Sequence, residues 1–452
     1  RAGLYFTIHR VVSAAGVRAA HSFHVPVLMV ISAPSGSVFN VQVPERFSNL
    51  QWYLSHAGNT VQMVAFLERQ MTRADFVALV ENCLSYLPEL ALGEDRSGER
   101  FFLPPKTCGE GEIWRYETVD ELSPDPTDAF SPATDLFDRN DLPAFRATCQ
   151  VVSDASDGAP ATRLHFTASH SLVEGADLAA VLRGRLNRRG RRSVTGNGLS
   201  RATRFGLAVA APFLACIHVA MAKAERRKPT DFGFACVEME RADIEDAART
   251  LNISKRGLLF ALALFTLAGP EPRRRAWRFA YSKLPARRIL LEDDDYLSVR
   301  VQAMASKGSD SFADFARMLD RQLAIQNETE VLTHFLANRV LKVQRRVAAV
   351  FPGLYRGAFF GFSPYDMVLS LVPPIAPAGP FAVLAGARIL GGSYTGTVPG
   401  VIYLCDAQRV SWTCWLERRQ ADRLQDLAQL ADSLNIRHTI WAQPLRQPQD
   451  RR

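Results

Sequence analysis

Across residues 163–186 the apolar pattern changes period once, and that change constrains the fold more than any other feature of the chain. Arg163-Leu164-His165-Phe166-Thr167-Ala168-Ser169 alternates polar and apolar residues, with Leu164, Phe166 and Ala168 on one face. Such alternation predicts a half-buried strand. Leu178, Val181, Leu182 and Leu186 then recur at helical spacing, with Asp177 placed to help cap the helix and Gly175 to allow the turn. The segment reads strand, tight turn, helix, and His170 stands where the strand ends. An imidazole titrates near neutral pH, and a rigid strand end suits general-base work. A lone histidine at a strand end is also an ordinary structural or solvated residue, so its surroundings must carry the assignment. Glu174 lies four residues on. Its carboxylate can pin the turn, by accepting backbone N–H groups or by pairing with a distant arginine.

The chain has 452 residues, enough for two domains with real cores. It is 47% hydrophobic and 22% charged, which is a globular balance. Seven cysteines (Cys83, Cys108, Cys149, Cys216, Cys236, Cys405 and Cys414) are scattered, with no C-x-x-C pair. That spacing argues against a disulfide framework or a zinc site and for a reducing compartment. The nine histidines are also dispersed, so a His-based metal site has no support in the sequence. No G-x-S-x-G elbow is present, and no cysteine sits in a reactive context.

The formal charge is +8, and Arg183, Arg185, Arg188, Arg189, Arg191 and Arg192 form one dense run. Such a run is a solvated surface segment, or it attracts anionic lipid headgroups or the phosphates of coenzyme A. No aromatic-interleaved or helix-turn-helix pattern supports nucleic acid as a partner.

Residues 1–43 read as an accessory or poorly ordered extension. Its apolar stretch 25–31 contains Pro26 and is barely as long as a signal-peptide core. Residues 44–187 form a first subdomain. Thr72-Arg73-Ala74-Asp75 predicts a capped helix start, Phe76, Leu79, Val80, Cys83, Leu84 and Leu87 its apolar stripe, and Pro88 its stop. Residues 145–152 read as a strand beside the one that delivers His170. Residues 188–230 form a basic and apolar linker. Within it, 205–222 carries no charged residue and allows three readings: a helix packed on the protein, an interfacial membrane helix, or a span. Residues 231–440 form a second subdomain, with helices expected at 241–251, after Ser254, after Ser311 and through Leu424, Leu427, Leu430 and Leu434. Strands are expected at 367–372, 382–389, 401–404 and 410–416. Residues 441–452 form a tail.

His170-x-x-x-Glu174-Gly175 after an apolar strand resembles the His-His-x-x-x-Asp-Gly signature of the chloramphenicol acetyltransferase-like acyltransferases. That superfamily includes peptide-synthetase condensation domains and the bacterial wax ester synthase/diacylglycerol acyltransferase family. Ser169 stands for the first His of the pair and Glu174 for the Asp; the second His is the family's catalytic one and is present as His170. The order of landmarks over roughly residues 44–440 is similar to the wax ester synthase-like family. Leu87-Pro88-Glu89-Leu90 resembles its His-Pro-x-Leu phrase. Ala385-Gly386-Ala387-Arg388 resembles its Ala-Gly-Ala-x phrase, and Ser370-Leu371-Val372-Pro373-Pro374 its Ser-Asn-Val-Pro-Gly-Pro, with Leu371 in place of Asn.

The resemblance implies an α/β fold of two chloramphenicol acetyltransferase-like subdomains, mixed sheets flanked by helices, with an active-site tunnel between them. It implies an acyl-CoA-dependent O-acyltransferase that moves a fatty acyl group to a hydrophobic alcohol or acylglycerol, with acyl-CoA as co-substrate and neither cofactor nor metal. His170 is then the catalytic base, and Glu174, Gly175 and Arg287 shape the site. Ser370 and Ser393 are candidates for the oxyanion or tunnel wall. The implied place is cytoplasmic, with peripheral contact on the inner face of a membrane. Two alternatives accompany it: a condensation enzyme that uses a carrier-protein thioester to form an ester or amide, and a catalytically retired homologue that binds acyl groups or partners. The departures at Ser169, Glu174 and Leu371 favour the last.

Overall fold

The computed structural model describes residues 9–10, 27–32, 38–43, 47–56, 58–96, 100–102, 113–123, 125–130, 143–153, 160–184, 200, 202–203, 205–206, 208–213, 232–268, 276–283, 300–307, 311–325, 330–351, 367–372, 374–394 and 399–443. The chain divides into two compact units. Unit 1 comprises Arg1–Pro124, Pro132–Arg189 and Ala376–Ile389; unit 2 comprises Asp125–Ser131, Gly190–Ile375 and Leu390–Arg452.

Within residues 1–43, set apart above as an extension, strands β1 (His9–Arg10), β2 (Val27–Ser32) and β3 (Val38–Val43) pair antiparallel in sequence order. The rest of unit 1 runs through α1 (Asn49–His56), β4 (Thr60–Leu67), α2 (Arg73–Tyr86), a β5–β6 hairpin (Gly93–Asp95 and Arg100–Phe102), β7 (Trp114–Val119), β8 (Phe145–Val152), β9 (Thr162–Ser169) and α3 (Gly175–Leu182). Helix α2 starts as the sequence predicts: the Thr72 hydroxyl accepts the Asp75 N–H at 3.1 Å, and Pro88 follows the C-cap Leu87. Its stripe of Phe76, Leu79, Val80, Cys83 and Leu84 is buried, with Phe76 edge-on to Trp114 of β7. The central pair of the sheet is β9 against β4, antiparallel, with Ser169 opposite Thr60. On the other side β9 pairs antiparallel with β8, and β8 runs parallel to β7.

Unit 2 holds β10 (Phe232–Glu240), α4 (Arg241–Leu251), α5 (Lys255–Leu267), β11 (Ala276–Lys283), β12 (Arg300–Lys307), α6 (Phe312–Ile325), α7 (Glu330–Val350), β13 (Met367–Val372), β14 (Arg388–Tyr394), β15 (Gly400–Cys405), β16 (Arg409–Glu417), α8 (Arg418–Ala421), α9 (Leu424–Ser433) and β17 (His438–Ala442). β14 begins in the last segment of unit 1, and the five-stranded sheet has the order β14-β4-β9-β8-β7. The seven-stranded sheet has the order β12-β11-β13-β15-β16-β10-β17, with β11, β13 and β15 parallel and the other pairs antiparallel. Helix α5 is apolar on every side and buried on nearly every side, as its composition requires. Ser254 caps it by accepting the Gly257 N–H at 3.0 Å. On β15, Gly400 faces Trp415 of the neighbouring strand, and a Cβ there would overlap the indole.

One expected strand differs. Residues 382–384 lie in a 3-10 turn, Gly379–Leu384, and the strand begins only at Arg388. Gly379 takes φ 58° and Pro380 follows it, which starts a helical turn; Gly386 at φ 79° then redirects the chain. Apolar character alone does not distinguish a buried turn from a strand. Helix α3 also ends earlier than its stripe implies: Gly184, at φ 66°, terminates it, and Leu186 lies outside the described residues.

Candidate functional site

The turn that carries His170 is built from backbone bonds at the end of β9. Leu172 and Val173 both donate their N–H groups to the Ser169 carbonyl, at 3.1 and 3.2 Å. Glu174 is the N-cap of α3, fully buried, in a capping box with Asp177: its N–H donates to Asp177 Oδ2 at 2.9 Å, and the Asp177 N–H returns to the Glu174 carbonyl at 3.0 Å. Gly175 is the first residue of that helix. Leu172 and Val173 are buried, so the turn is anchored in the core while His170 stays partly exposed.

His170 itself is tethered through its backbone, donating its N–H to the Asn59 carbonyl at 2.9 Å, just where β4 begins. Below it lies a set of buried polar side chains from α1 and β5. Ser55 Oγ donates to Glu94 Oε2 at 2.6 Å, and Ser171 Oγ donates to Glu94 Oε1. Ser169 and Ser171 hydroxyls lie 2.9 Å apart, and Gln51 Nε2 donates to the Ser171 carbonyl at 3.3 Å. Gln51 is held in turn by Ser48, whose N–H it accepts at 3.0 Å.

The polar face of β9 is therefore covered towards its end, not solvated. Thr167 and Ser169 are buried, and His165 hydrogen-bonds to Gln62 Oε1 at 3.1 Å and Thr167 Oγ1 at 3.0 Å. Burial pushes the His165 pKa down to about 4, and the Arg163 and Arg146 guanidiniums add to that by repulsion. His165 is thus a neutral structural ring at physiological pH, and His170 is the one that stands at the strand end.

Of the residues singled out in the sequence, His170, Glu174 and Gly175 come together in this one turn. Ser370 lies on β13, opposite Ser282 of β11 and Ile402 of β15. Ser393 is buried on β14. Arg287 lies outside the described residues, as do Arg185, Arg188, Arg189, Arg191 and Arg192 of the basic run. Sequence reasoning missed Gln51, Ser55 and Glu94. The two serines flanking His170 were the only local trace of them. Among the described residues no group of three or more His, Cys, Asp or Glu side chains could hold a metal ion.

No protein-family model matches the sequence, and no curated protein matches it. Solved structures do. The chain is similar to Fusarium graminearum TRI101, solved with coenzyme A and deoxynivalenol, at 9% identity and a TM-score of 0.55, over 89% of this chain and 99% of that one. It is similar to the trichothecene 15-O-acetyltransferase TRI3 of Fusarium sporotrichioides at 11% identity and a TM-score of 0.52, over 87% and 95%. Polyketide synthase associated protein 5 of Mycobacterium tuberculosis matches at 14% identity and a TM-score of 0.50, over 86% and 96%. TM-scores of 0.50–0.55 over most of both chains, at identities of 9–14%, show the fold and not more than the fold, and it is the α/β, two-subdomain chloramphenicol acetyltransferase-like one.

Proposed function

We propose that the protein is an acyltransferase that moves an acyl group from acyl-CoA to the hydroxyl of a hydrophobic alcohol or acylglycerol, with His170 as general base. The carrying observation is the strand-end imidazole on a turn tied down from α1, β4 and β5, in a fold shared with TRI3, a 15-O-acetyltransferase by name, and with TRI101, solved with coenzyme A. In the proposed step His170 takes the proton of the acceptor hydroxyl as that oxygen attacks the thioester carbonyl. A tetrahedral oxyanion forms. It collapses with cleavage of the C–S bond, and the imidazolium returns the proton to the leaving thiolate. No covalent enzyme intermediate is needed. Glu174 acts as organiser of the turn, with Arg287 as its proposed partner, and the hydroxyls of Ser370 and Ser393 are the proposed oxyanion or acceptor-site groups.

The finer reading, a wax ester synthase-like enzyme with a lipid acceptor, is supported by the order of sequence landmarks and by one surface feature. Residues 208–213 are helical, and Phe205, Val209 and Phe213 recur at a four-residue spacing with their side chains in solvent, whereas Ala211 is buried. An apolar stripe of that kind, following an arginine run in the sequence, suits a cytoplasmic enzyme resting on an anionic membrane surface. No single helix among the described residues is long and apolar enough to cross a membrane. The test is thiol release from acyl-CoA with a panel of alcohols from short soluble ones to diacylglycerol. Release that requires an alcohol and grows with its apolar length supports the reading. Absence of release with every acceptor sinks it.

A further inference from the structure

We infer that Glu94 is the positioning residue for His170, acting through the two serines that flank it. Glu94 sits in the middle of β5, opposite Phe101 in the hairpin, and is only 6% exposed. Each of its oxygens accepts one serine hydroxyl: Oε2 that of Ser55, at 2.6 Å, and Oε1 that of Ser171. Ser171 Oγ is 2.9 Å from Ser169 Oγ, and Ser169 Oγ also accepts the Ser171 N–H at 3.3 Å. Ser55, Ser169 and Ser171 are all 0% exposed, so water does not compete for these bonds. One carboxylate thereby fixes the residue before His170 and the residue after it.

The other tethers act on the same turn from different elements. Asn59 accepts the His170 N–H, and Gln51, one turn before Ser55 on α1, holds the Ser171 carbonyl. The backbone from which the imidazole projects is thus set from α1, from β5 and from the start of β4. A base misplaced by about 1 Å can lose roughly 10²-fold in rate, so holding the turn is a catalytic matter and not only a structural one. Ser169 fits this account. It stands where the similar family motif has its first His, and here its hydroxyl belongs to the Glu94 system. Position 169 supplies support to the turn where that motif supplies a second ring.

The kinetic arm of the inference rests on the acyl-transfer reading; the spectroscopic arm does not. In the full-length protein, Glu94→Gln keeps the shape and replaces one accepting oxygen with a donor. It should lower kcat roughly 10–10²-fold with the KM for acyl-CoA unchanged. Ser171→Ala, which cuts the link to Ser169, should give the same split. In a His170→Ala background Glu94→Gln should cost nothing further, because it acts through that ring. With ¹⁵N-labelled histidine, the His170 resonances, assigned by their loss in His170→Ala, should shift or broaden in Glu94→Gln while those of His165 stay in place. Unmoved His170 resonances in a folded Glu94→Gln protein overturn the inference, whatever the kinetics. So does a loss of kcat that repeats in the His170→Ala background, since Glu94 would then act on the fold at large. If the wild type releases no thiol, the acyl-transfer reading fails and the resonances alone decide about Glu94. If Glu94→Gln does not fold, Ser171→Ala carries both arms.

Discussion

Beneath His170 unit 1 buries hydroxyls, amides and a carboxylate; around α5 unit 2 buries almost nothing but carbon. The floor of the turn is Gln51, Ser55, Glu94, Ser169 and Ser171, each nearly inaccessible. The core around α5 is Leu258, Leu259, Phe260, Leu262 and Leu264 packed against Phe279, Phe315, Leu369, Tyr403 and Trp412. Two of its few polar atoms close on the backbone, Thr266 Oγ1 donating to the Leu262 carbonyl at 2.7 Å and the Tyr403 hydroxyl to the Leu259 carbonyl at 3.1 Å, while the buried Trp412 Nε1 finds no hydrogen-bond partner among the described residues. An apolar core tolerates small rearrangements, since dispersion and burial have no direction. A buried polar floor does not, because every displaced donor leaves an acceptor unmet. The contrast separates a region built for cohesion from one built to hold a geometry, and it can be broken or sharpened by experiment.

The largest effect is expected at the imidazole. His170→Ala should lower kcat by about 10²–10⁴-fold and leave the melting temperature unchanged, because the ring is partly exposed and its tether is a backbone bond. Steady-state kinetics beside a thermal melt measure both, and a wild-type kcat would remove His170 from the mechanism. The mirror experiment lies in unit 2. Leu262→Ala should cost about 2–5 kcal/mol through the cavity it leaves, with kcat per folded molecule unaltered. A kcat that falls with stability there would erase the contrast.

The acid response should come from the polar face of β9. Folded His165 titrates at about 4 and the unfolded ring near 6.5. The unfolded chain therefore takes up the proton first as the pH falls. Stability from this group is complete above 6.5 and declines towards 4, by on the order of 3 kcal/mol. His165→Gln should flatten that decline. Urea unfolding on either side of the window, in both proteins, checks it; an identical slope would assign the acid response elsewhere.

Glu174→Ala should lower stability and activity together, by about 1–3 kcal/mol in stability, since the buried carboxylate that faces the Asp177 N–H in the capping box is lost while the two bonds of the Glu174 backbone to Asp177 remain. A variant that melts and turns over like wild type would show that α3 needs no cap to hold the turn. The smallest effect is expected from the arginine run of residues 183–192. Each basic residue of the arginine run should add about 1 kcal/mol to binding of anionic vesicles, weakened by salt. Flotation that ignores lipid charge, salt and an Arg-to-Ser version of the run would make it a solvated loop.

The sequence by itself determined the local elements around the site. Alternation across 163–169, the helical stripe beyond Gly175 and the caps at Thr72 and Ser254 are nearest-neighbour effects, and strand, turn and helices formed where those patterns lie. The placement of His170 at a strand end followed from them. Tertiary structure decided what those patterns do not encode. Ala382, Val383 and Leu384 are apolar enough for a strand, yet Gly379, Pro380 and Gly386 turn the chain there. His165 and His170 look alike in the sequence, and only burial beside two arginines makes one of them an inert ring. Glu94 is 77 residues from Ser171. A hydrogen bond across that distance leaves no periodicity in the chain, because it exists only once α1 and the β5–β6 hairpin have closed over the polar face of β9.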